Sequence, residues 1–483
     1  MLKRYFLSNV IVMVLLNLLV KPVWIFLIDR NVQLTVGHQE YGLYSALLSL
    51  TVIFNILLDF GITNFNNRNL SNDNSQIHLS LPNMIAAKAF FSLIYFCIIF
   101  LVAFLFDYSG KALYILLLLG GIQFLNSFLQ FLRSNVSANH DFKIDSVLSV
   151  LDKLVMIVVC GFLLLYPDTK NSFLIEWYLY TQLFAYLLAI LVSVVVIIRR
   201  YARIDFQHFS WSEMRSFCLK SLPFAFLILL MGIYMRCDSL LLERMKGPVI
   251  NSHYAEAYRI LDALNMIGFL FAGILLPMFT RLIARNVSIH EIVKTSANIV
   301  ISVALCILAH SLVYRREVMF FLDRNAAPDL PDIYLFVIAC FPPFCMMYIY
   351  STLLTANGNI RLLIKISLVA CILSIGLNLL LIPHLNAVGT GISALIVQSV
   401  VAGCCIYFSI RKFDLPVDFG WLGKFAFLFI TILAVNFLLR FIHVSLLPSV
   451  LINMLLFLLL VYSIRLWDKE TILAYLKQYK SGE

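Results

Sequence analysis

Apolar stretches long enough to cross a bilayer recur from one end of this chain to the other, with only short polar gaps between them. A helix needs about 20 mainly apolar residues to span the hydrocarbon core. Such runs lie near 6–28, 42–63, 81–106, 112–134, 146–166, 173–198, 218–242, 259–283, 296–319, 332–355, 361–382, 388–410, 423–443 and 448–466. In lipid, backbone amides and carbonyls must find partners inside the protein, so runs of this length have to be helices. The pattern predicts an all-α integral membrane protein with about fourteen transmembrane helices. Composition supports lipid as the solvent: 62% of residues are hydrophobic, 13% are charged and the mean hydropathy is +0.93, well outside the usage of soluble domains. No linker or low-complexity segment interrupts the series, so a single membrane unit is expected.

Charge gives the orientation. Assigning the gaps alternately to the two faces puts 22 of the 36 lysines and arginines on one side and ten on the other. Because cytoplasmic loops carry the excess, both termini are expected in the cytoplasm. The start, Met1–Arg4 before an apolar run, resembles a signal peptide. Lys21-Pro22 stands where a cleavage site would need small residues, which predicts a retained first helix. The net charge of +10 is spread over many loops rather than gathered in a stripe. That distribution suits anionic headgroups and excludes nucleic acid as a partner. The ten cysteines fall in or beside apolar runs without ligand spacing and are expected to be buried small hydrophobes.

Two short segments repeat. Ser137-Ala138-Asn139-His140-Asp141-Phe142-Lys143, between spans four and five, resembles Thr355-Ala356-Asn357-Gly358-Asn359-Ile360-Arg361, between spans ten and eleven. Tyr41-Gly42-Leu43-Tyr44 has a weaker echo in Tyr254-Ala255-Glu256-Ala257-Tyr258 at nearly the same offset. Matching landmarks six spans apart imply two parallel six-helix repeats, an arrangement common in secondary transporters. The expected organisation is a first bundle over 1–200, a second over 201–412, and a 413–483 appendage of two helices and a cytoplasmic tail.

Polar residues inside the spans are the candidate site, because a charge at the bilayer centre costs on the order of 2.5–3.5 kcal/mol and usually faces a wet cavity or a partner. Asn17, Lys21 and Trp24 share a face of span one; Tyr44, Thr51, Asn55 and Asp59 one of span two; Lys88, Ser92 and Tyr95 one of span three. Gln123, Asn126, Gln130 and Arg133 line span four, while Gly232, Arg236, Ser239 and Glu243 line span seven, and Tyr258, Asp262 and Asn265 line span eight. Interhelical packing by hydrogen bonds is an equal reading for Asn17, Asn55, Ser92 and Asn126. Asp152 and Lys153 are expected to neutralise one another, as are Arg259 and Asp262. Lys21 and Arg236 have no acidic residue one helical turn away and are the better substrate-facing candidates. No HExxH, GxSxG or P-loop occurs, the nine histidines lack ligand spacing, and no gap could house a catalytic domain. No enzyme activity, cofactor or metal is expected, and His310 is expected to be a packed histidine.

Several motifs resemble the multidrug/oligosaccharidyl-lipid/polysaccharide (MOP) exporter superfamily, in its O-antigen (Wzx-type) flippase branch. They are Glu40-Tyr41-Gly42-Leu43-Tyr44 with Leu58-Asp59-Phe60-Gly61, Ser221-Leu222-Pro223 with Arg236-Cys237-Asp238, and Leu276-Pro277 with Arg281. Ala356-Asn357-Gly358, Asn378 to Pro383 and Gly389-Thr390-Gly391 complete the set. The resemblance covers roughly residues 1–412. It implies two bundles around a V-shaped cationic cavity in the bacterial cytoplasmic (inner) membrane. By alternating access the cavity would move an undecaprenyl-pyrophosphate-linked oligosaccharide, such as an O-antigen or capsular repeat unit, to the outer face. Lys21, Lys88, Arg236 and Arg259 would then meet the anionic headgroup, with Gln123, Asn126 and Gln130 also binding substrate. Asp59, Asp238 and Asp262 would serve ion coupling or structure. Implied partners are the lipid-linked substrate, membrane lipids, H+ or Na+ as coupling ion, and glycan polymerase and chain-length proteins. The competing expectations are a cation-coupled multidrug exporter, which would favour an acidic and aromatic cavity, and a membrane glycan polymerase or ligase, which would need a larger outer loop than Arg315–Asp332.

Overall fold

The apolar runs fold as helices wherever they are seen in the computed structural model, which describes residues 16–17, 19–61, 63, 77–138, 141–200, 211–416 and 418–467. No strand occurs among the described residues. The first part of span one, Asn139-His140 of the repeated segment, most of the gap after span six and the tail beyond Trp467 lie outside them.

The contacts divide the chain into two units, Met1–Ala255 and Glu256–Glu483. In the first, span one ends in a π-helical turn, Trp24–Asp29, followed by α1 (Arg30–Val36), α2 (His38–Ile53) and α3 (Ile56–Asp59). Then come α4 (Ile77–Leu105), α5 (Lys111–Ala138), α6 (Phe142–Leu165), the short α7 (Pro167–Asn171), α8 (Ile175–Arg200) and α9 (Trp211–Lys246). The helix α10 (Pro248–Ala284) begins in this unit and continues into the second. Span two is thus interrupted: α2 stops at Ile53, and after α3 the chain turns through Phe60 (φ +46°) and Gly61 (φ +83°). The left-handed conformation at Gly61 explains the glycine closing Leu58-Asp59-Phe60-Gly61, since other residues pay for it sterically.

Helix α9, expected to open the second bundle, packs along α2. Two glycines permit the approach. A Cβ on Gly42 would lie 1.7 Å from the Pro248 carbonyl oxygen, and one on Gly232 would lie 3.1 Å from that of Ile53. The Asn251 amide donates to the Gly42 carbonyl at 2.8 Å and closes the same contact. The interior of this unit is aliphatic and tyrosine-rich, with Tyr41, Tyr44, Tyr95 and Tyr178 all buried.

The second unit holds the rest of α10, then α11 (His290–Leu322), α12 (Leu330–Ala339), α13 (Phe341–Ala356), α14 (Ile360–Phe413), α15 (Phe419–Phe441) and α16 (Leu446–Ser463). Helices α12 and α13 form one span broken at Cys340, where Pro342 and Pro343 remove amide donors. Helix α14 has 54 residues, about 80 Å if straight and far more than a hydrocarbon core of ~30 Å requires. It is not straight. Asn386 has φ +51° and ψ −135°, and a Cβ on Gly389 would sit 2.7 Å from the Leu381 carbonyl oxygen. Residues eight apart in a continuous helix are ~12 Å apart, so the chain doubles back there and supplies spans eleven and twelve. Eleven helices among the described residues are long and apolar enough to cross a membrane, with α14 counted once. Span one begins outside the described residues and the broken span two is not in that number, so the count agrees with the roughly fourteen expected.

The last two helices pack closely within the second unit. Both α15 and α16 pack on α11. Asn436 and Asn453 exchange side-chain hydrogen bonds at 2.8 and 2.7 Å, and His310 Nδ1 lies 3.0 Å from Asn436 Oδ1. His310 stacks on Tyr314, as expected for a packed histidine. No disulfide occurs among the described residues, and the described cysteines are mostly buried.

Candidate functional site

The predicted face of span one meets α6. The Asn17 amide donates to Ser149 Oγ at 3.0 Å, and one turn on, Lys153 Nζ lies 4.3 Å from the centre of the Trp24 ring. Ser149, Asp152 and Lys153 follow i, i+3, i+4 spacing and so share a helix face. Lys153 pairs with Asp152 Oδ2 at 3.1 Å, as the sequence suggested, and reaches the Tyr186 hydroxyl on α8 at 3.5 Å. Arg133, from the polar stripe of α5, donates through Nε to Asp145 Oδ1 at 2.8 Å. The charged groups acting on Lys21 are Lys153, Asp152 and Arg133. No carboxylate among the described residues comes within 4.0 Å of the Lys21 ammonium. Three cations on three helices thus face two carboxylates, and Lys21 is the one of the three with no carboxylate within 4.0 Å among the described residues.

The other members of the α5 stripe divide. Gln123 is buried, whereas Gln130 is exposed and donates to Asn126 Oδ1 at 3.2 Å one turn below.

Lys88 is built differently. It is 2% exposed, and its ammonium donates to Asp59 Oδ1 (2.8 Å), Ser127 Oγ (2.8 Å) and the carbonyls of Leu58 (3.2 Å) and Ser127 (3.3 Å). Asp59 also accepts from the Thr63 hydroxyl and amide. An ammonium has three hydrogens, so four acceptors saturate it, and the lysine ties α4 to α3 and α5. Lys88 shares no partner with Lys21. The break after α2 makes this possible by exposing the Leu58 carbonyl, whose next turn is interrupted at Phe60.

The candidates of the later spans lie on α9 and α10. Arg236 is half-buried, next to the buried Asp238, whose Oδ2 accepts from the Tyr254 hydroxyl at 3.4 Å. On α10, Arg259 is 5% exposed and Asp262 half-buried.

One carboxylate escaped the sequence reading. Asp29, at the end of the π-helical turn, is 8% exposed and accepts from the hydroxyls of Tyr41 (2.7 Å) and Tyr178 (3.1 Å), with the Tyr44 ring edge-on to Tyr178. It stands just past the end of predicted span one and outside every polar stripe read from the sequence. A π-turn adds a residue to the local ring and re-aims the side chain, which periodicity at 3.6 cannot show.

The structure matches that of the lipid II flippase MurJ in an inward closed conformation, with a TM-score of 0.67 and 12% identity, over 94% of this chain and 99% of that one. It also matches an inward-facing multidrug resistance MATE transporter of the MOP superfamily, with a TM-score of 0.62 and 16% identity, over 83% of this chain and 94% of that one. A MATE transporter of Vibrio cholerae in the bent form matches with a TM-score of 0.58 and 13% identity, over 85% and 96%. At these identities the matches establish the fold. No curated protein sequence matches the chain. The family model for polysaccharide biosynthesis proteins matches residues 6–283, more than half of the chain. The protein therefore belongs to the polysaccharide biosynthesis protein family and carries the fold of the MOP superfamily.

Proposed function

We propose that the protein is a flippase that carries an undecaprenyl-pyrophosphate-linked oligosaccharide, the repeat unit of an O-antigen or a capsular or exopolysaccharide, from the cytoplasmic to the outer face of the bacterial inner membrane. The observation that carries the reading is Lys21, a cation inside span one on which Lys153, Asp152 and Arg133 act, with no carboxylate within 4.0 Å among the described residues. A pyrophosphate entering a low-dielectric site gains most from fixed cations whose charge is not already spent. Lys21 and Arg236 are the headgroup contacts in this account, with Gln123, Asn126 and Gln130 around the glycan. Lys88 and Asp59 hold the helices that present them. The two repeats, 1–200 and 201–412, alternate access with both termini in the cytoplasm, and H+ or Na+ supplies the bias. The protein acts as a transporter beside the glycan polymerase and chain-length proteins and performs no covalent chemistry.

Deleting the protein in its host and measuring lipid-linked glycan on each membrane face tests this. Accumulation on the inner face supports the reading, and an unchanged distribution refutes it. A cation-coupled exporter is the second reading. It is favoured by Asp29 and its tyrosines, an acidic and aromatic niche of the kind a cationic drug would enter. Export of a cationic dye by the purified protein, unaffected by lipid-linked oligosaccharide, would select it.

A further inference from the structure

A second basic site lies in the Glu256–Glu483 unit, where the starts of α11 and α15 meet the chain leaving α16. A cavity of about 450 Å3 there is lined by Lys294 and Asn298 of α11, Trp421 and Lys424 of α15, and Arg465 after α16. None of the three cations has a carboxylate within 4.0 Å among the described residues. Of the two acids at the cavity, Asp418 is occupied in capping α15, accepting from the amides of Gly420 (2.9 Å) and Trp421 (3.2 Å), and Glu291 is exposed at the rim.

The backbone is arranged to hold Arg465 at this place. Arg465 has φ +50°, a left-handed conformation costly for a residue with a Cβ. The turn it makes is fixed by Leu466, 2% exposed, and by Trp467, whose indole donates to Ser302 Oγ at 3.2 Å and to the Asn298 carbonyl at 3.4 Å. The Trp421 indole donates to Asn298 Oδ1 at 2.6 Å, so two indoles converge on one asparagine. Indoles favour the depth of the lipid headgroups. The start of two membrane helices and the end of a third place the cavity at the same level, on the face that the basic-residue bias assigns to the cytoplasm. Beside it, Phe419 is 81% exposed and Leu422 44% exposed, giving an apolar flank that a soluble anion would not use.

We propose that this cavity binds the phosphate of an anionic phospholipid, with Lys294, Lys424 and Arg465 around the headgroup and the acyl chains against Phe419 and Leu422. The site is separate from the transport residues and anchors the last two helices to the leaflet. The test uses the full-length protein, equilibrated in detergent with equal amounts of phosphatidylglycerol and phosphatidylcholine, and counts retained lipid by mass spectrometry. Phosphatidylglycerol is expected to be enriched on the wild type. Each neutralised cation should weaken it by about fivefold, and Lys294→Gln/Lys424→Gln/Arg465→Gln together by on the order of a hundredfold. Arg361→Gln/Lys365→Gln/Arg411→Gln, with the same charge change on α14, should leave the enrichment intact. The exposed single change Lys424→Gln and its counterpart Lys424→Arg keep the test decisive if the triple variant does not fold: the first should lose about fivefold and the second nothing. Equal enrichment on the wild type and the Gln variants overturns the proposal. Displacement of the lipid by inorganic phosphate at equal concentration would overturn the lipid assignment and leave a site for free anions.

Discussion

Replacing Lys88 by methionine keeps the length of the side chain and removes the charge that ties three helices together. Breaking a buried ion pair from one side costs about 3–5 kcal/mol, because the partner stays behind uncompensated. Asp59 is 24% exposed and retains its bonds from Thr63, so solvent screening reduces that to about 2 kcal/mol. Ser127 Oγ and two carbonyls also lose a donor. At about 0.6 kcal/mol for each interhelical bond in a membrane protein, the expected total is roughly 3–4 kcal/mol. For a unit of this size that lowers the melting temperature by roughly 6–16 °C. Asp59→Asn keeps an acceptor but leaves the buried Lys88 ammonium without its counter-charge, and should cost about 3 kcal/mol. Combining Lys88→Met with Asp59→Leu should recover about half of the single loss, since no charge is then stranded. Melting of the purified variants in detergent measures all three. A Lys88→Met protein that melts with the wild type yet fails to transport would refute the structural role and return Lys88 to the headgroup site.

Gly42→Ala should destabilise the protein by about 3 kcal/mol, at the upper end of overpacking costs, because the added methyl meets a backbone oxygen at 1.7 Å. Gly232→Ala, at 3.1 Å, should cost about 1 kcal/mol; the same melting assay ranks the pair, and the reverse order would contradict the α2–α9 packing. Asn453→Leu removes the bonds joining α16 to α15 and should cost about 1–2 kcal/mol while leaving Asn436 its contacts with His310 and the Ile432 carbonyl, read out as earlier proteolysis in the α15–α16 loop. Tyr178→Phe strips a donor from Asp29 and should cost about 1 kcal/mol, against no change if Asp29 is solvated.

Helix existence was legible in this sequence because bilayer thickness fixes how long an apolar run must be, and almost every run is continuous. The breaks were not. Asn386 reverses α14 and Phe60-Gly61 ends α3 through backbone conformation, which hydropathy does not register. The candidate site was legible as polar stripes, since the i, i+4, i+7 spacing of Asn17, Lys21 and Trp24 keeps them on one helix face. Which cation is left over depends on cross-helix partners. Lys88 finds Asp59 on another element, 29 residues away, and Lys153 has Asp152 beside it, whereas Lys21 gathers only further cations and a shared acid. The polar contacts of α15 and α16 were equally hidden, because Asn436, Asn453 and His310 become one network only when three distant helices pack.

Reconstitution in liposomes tests the central claim most directly. A pyrophosphate-linked lipid oligosaccharide is placed in one leaflet and its appearance in the other is followed for the wild type and for Lys21→Ala/Arg236→Ala, matched for folding. The account predicts transfer by the wild type and, with two headgroup cations gone, at least a tenfold slower transfer by the double variant. Equal transfer by the two proteins would remove these cations from the site, and no transfer by a folded wild type would contradict the flippase itself.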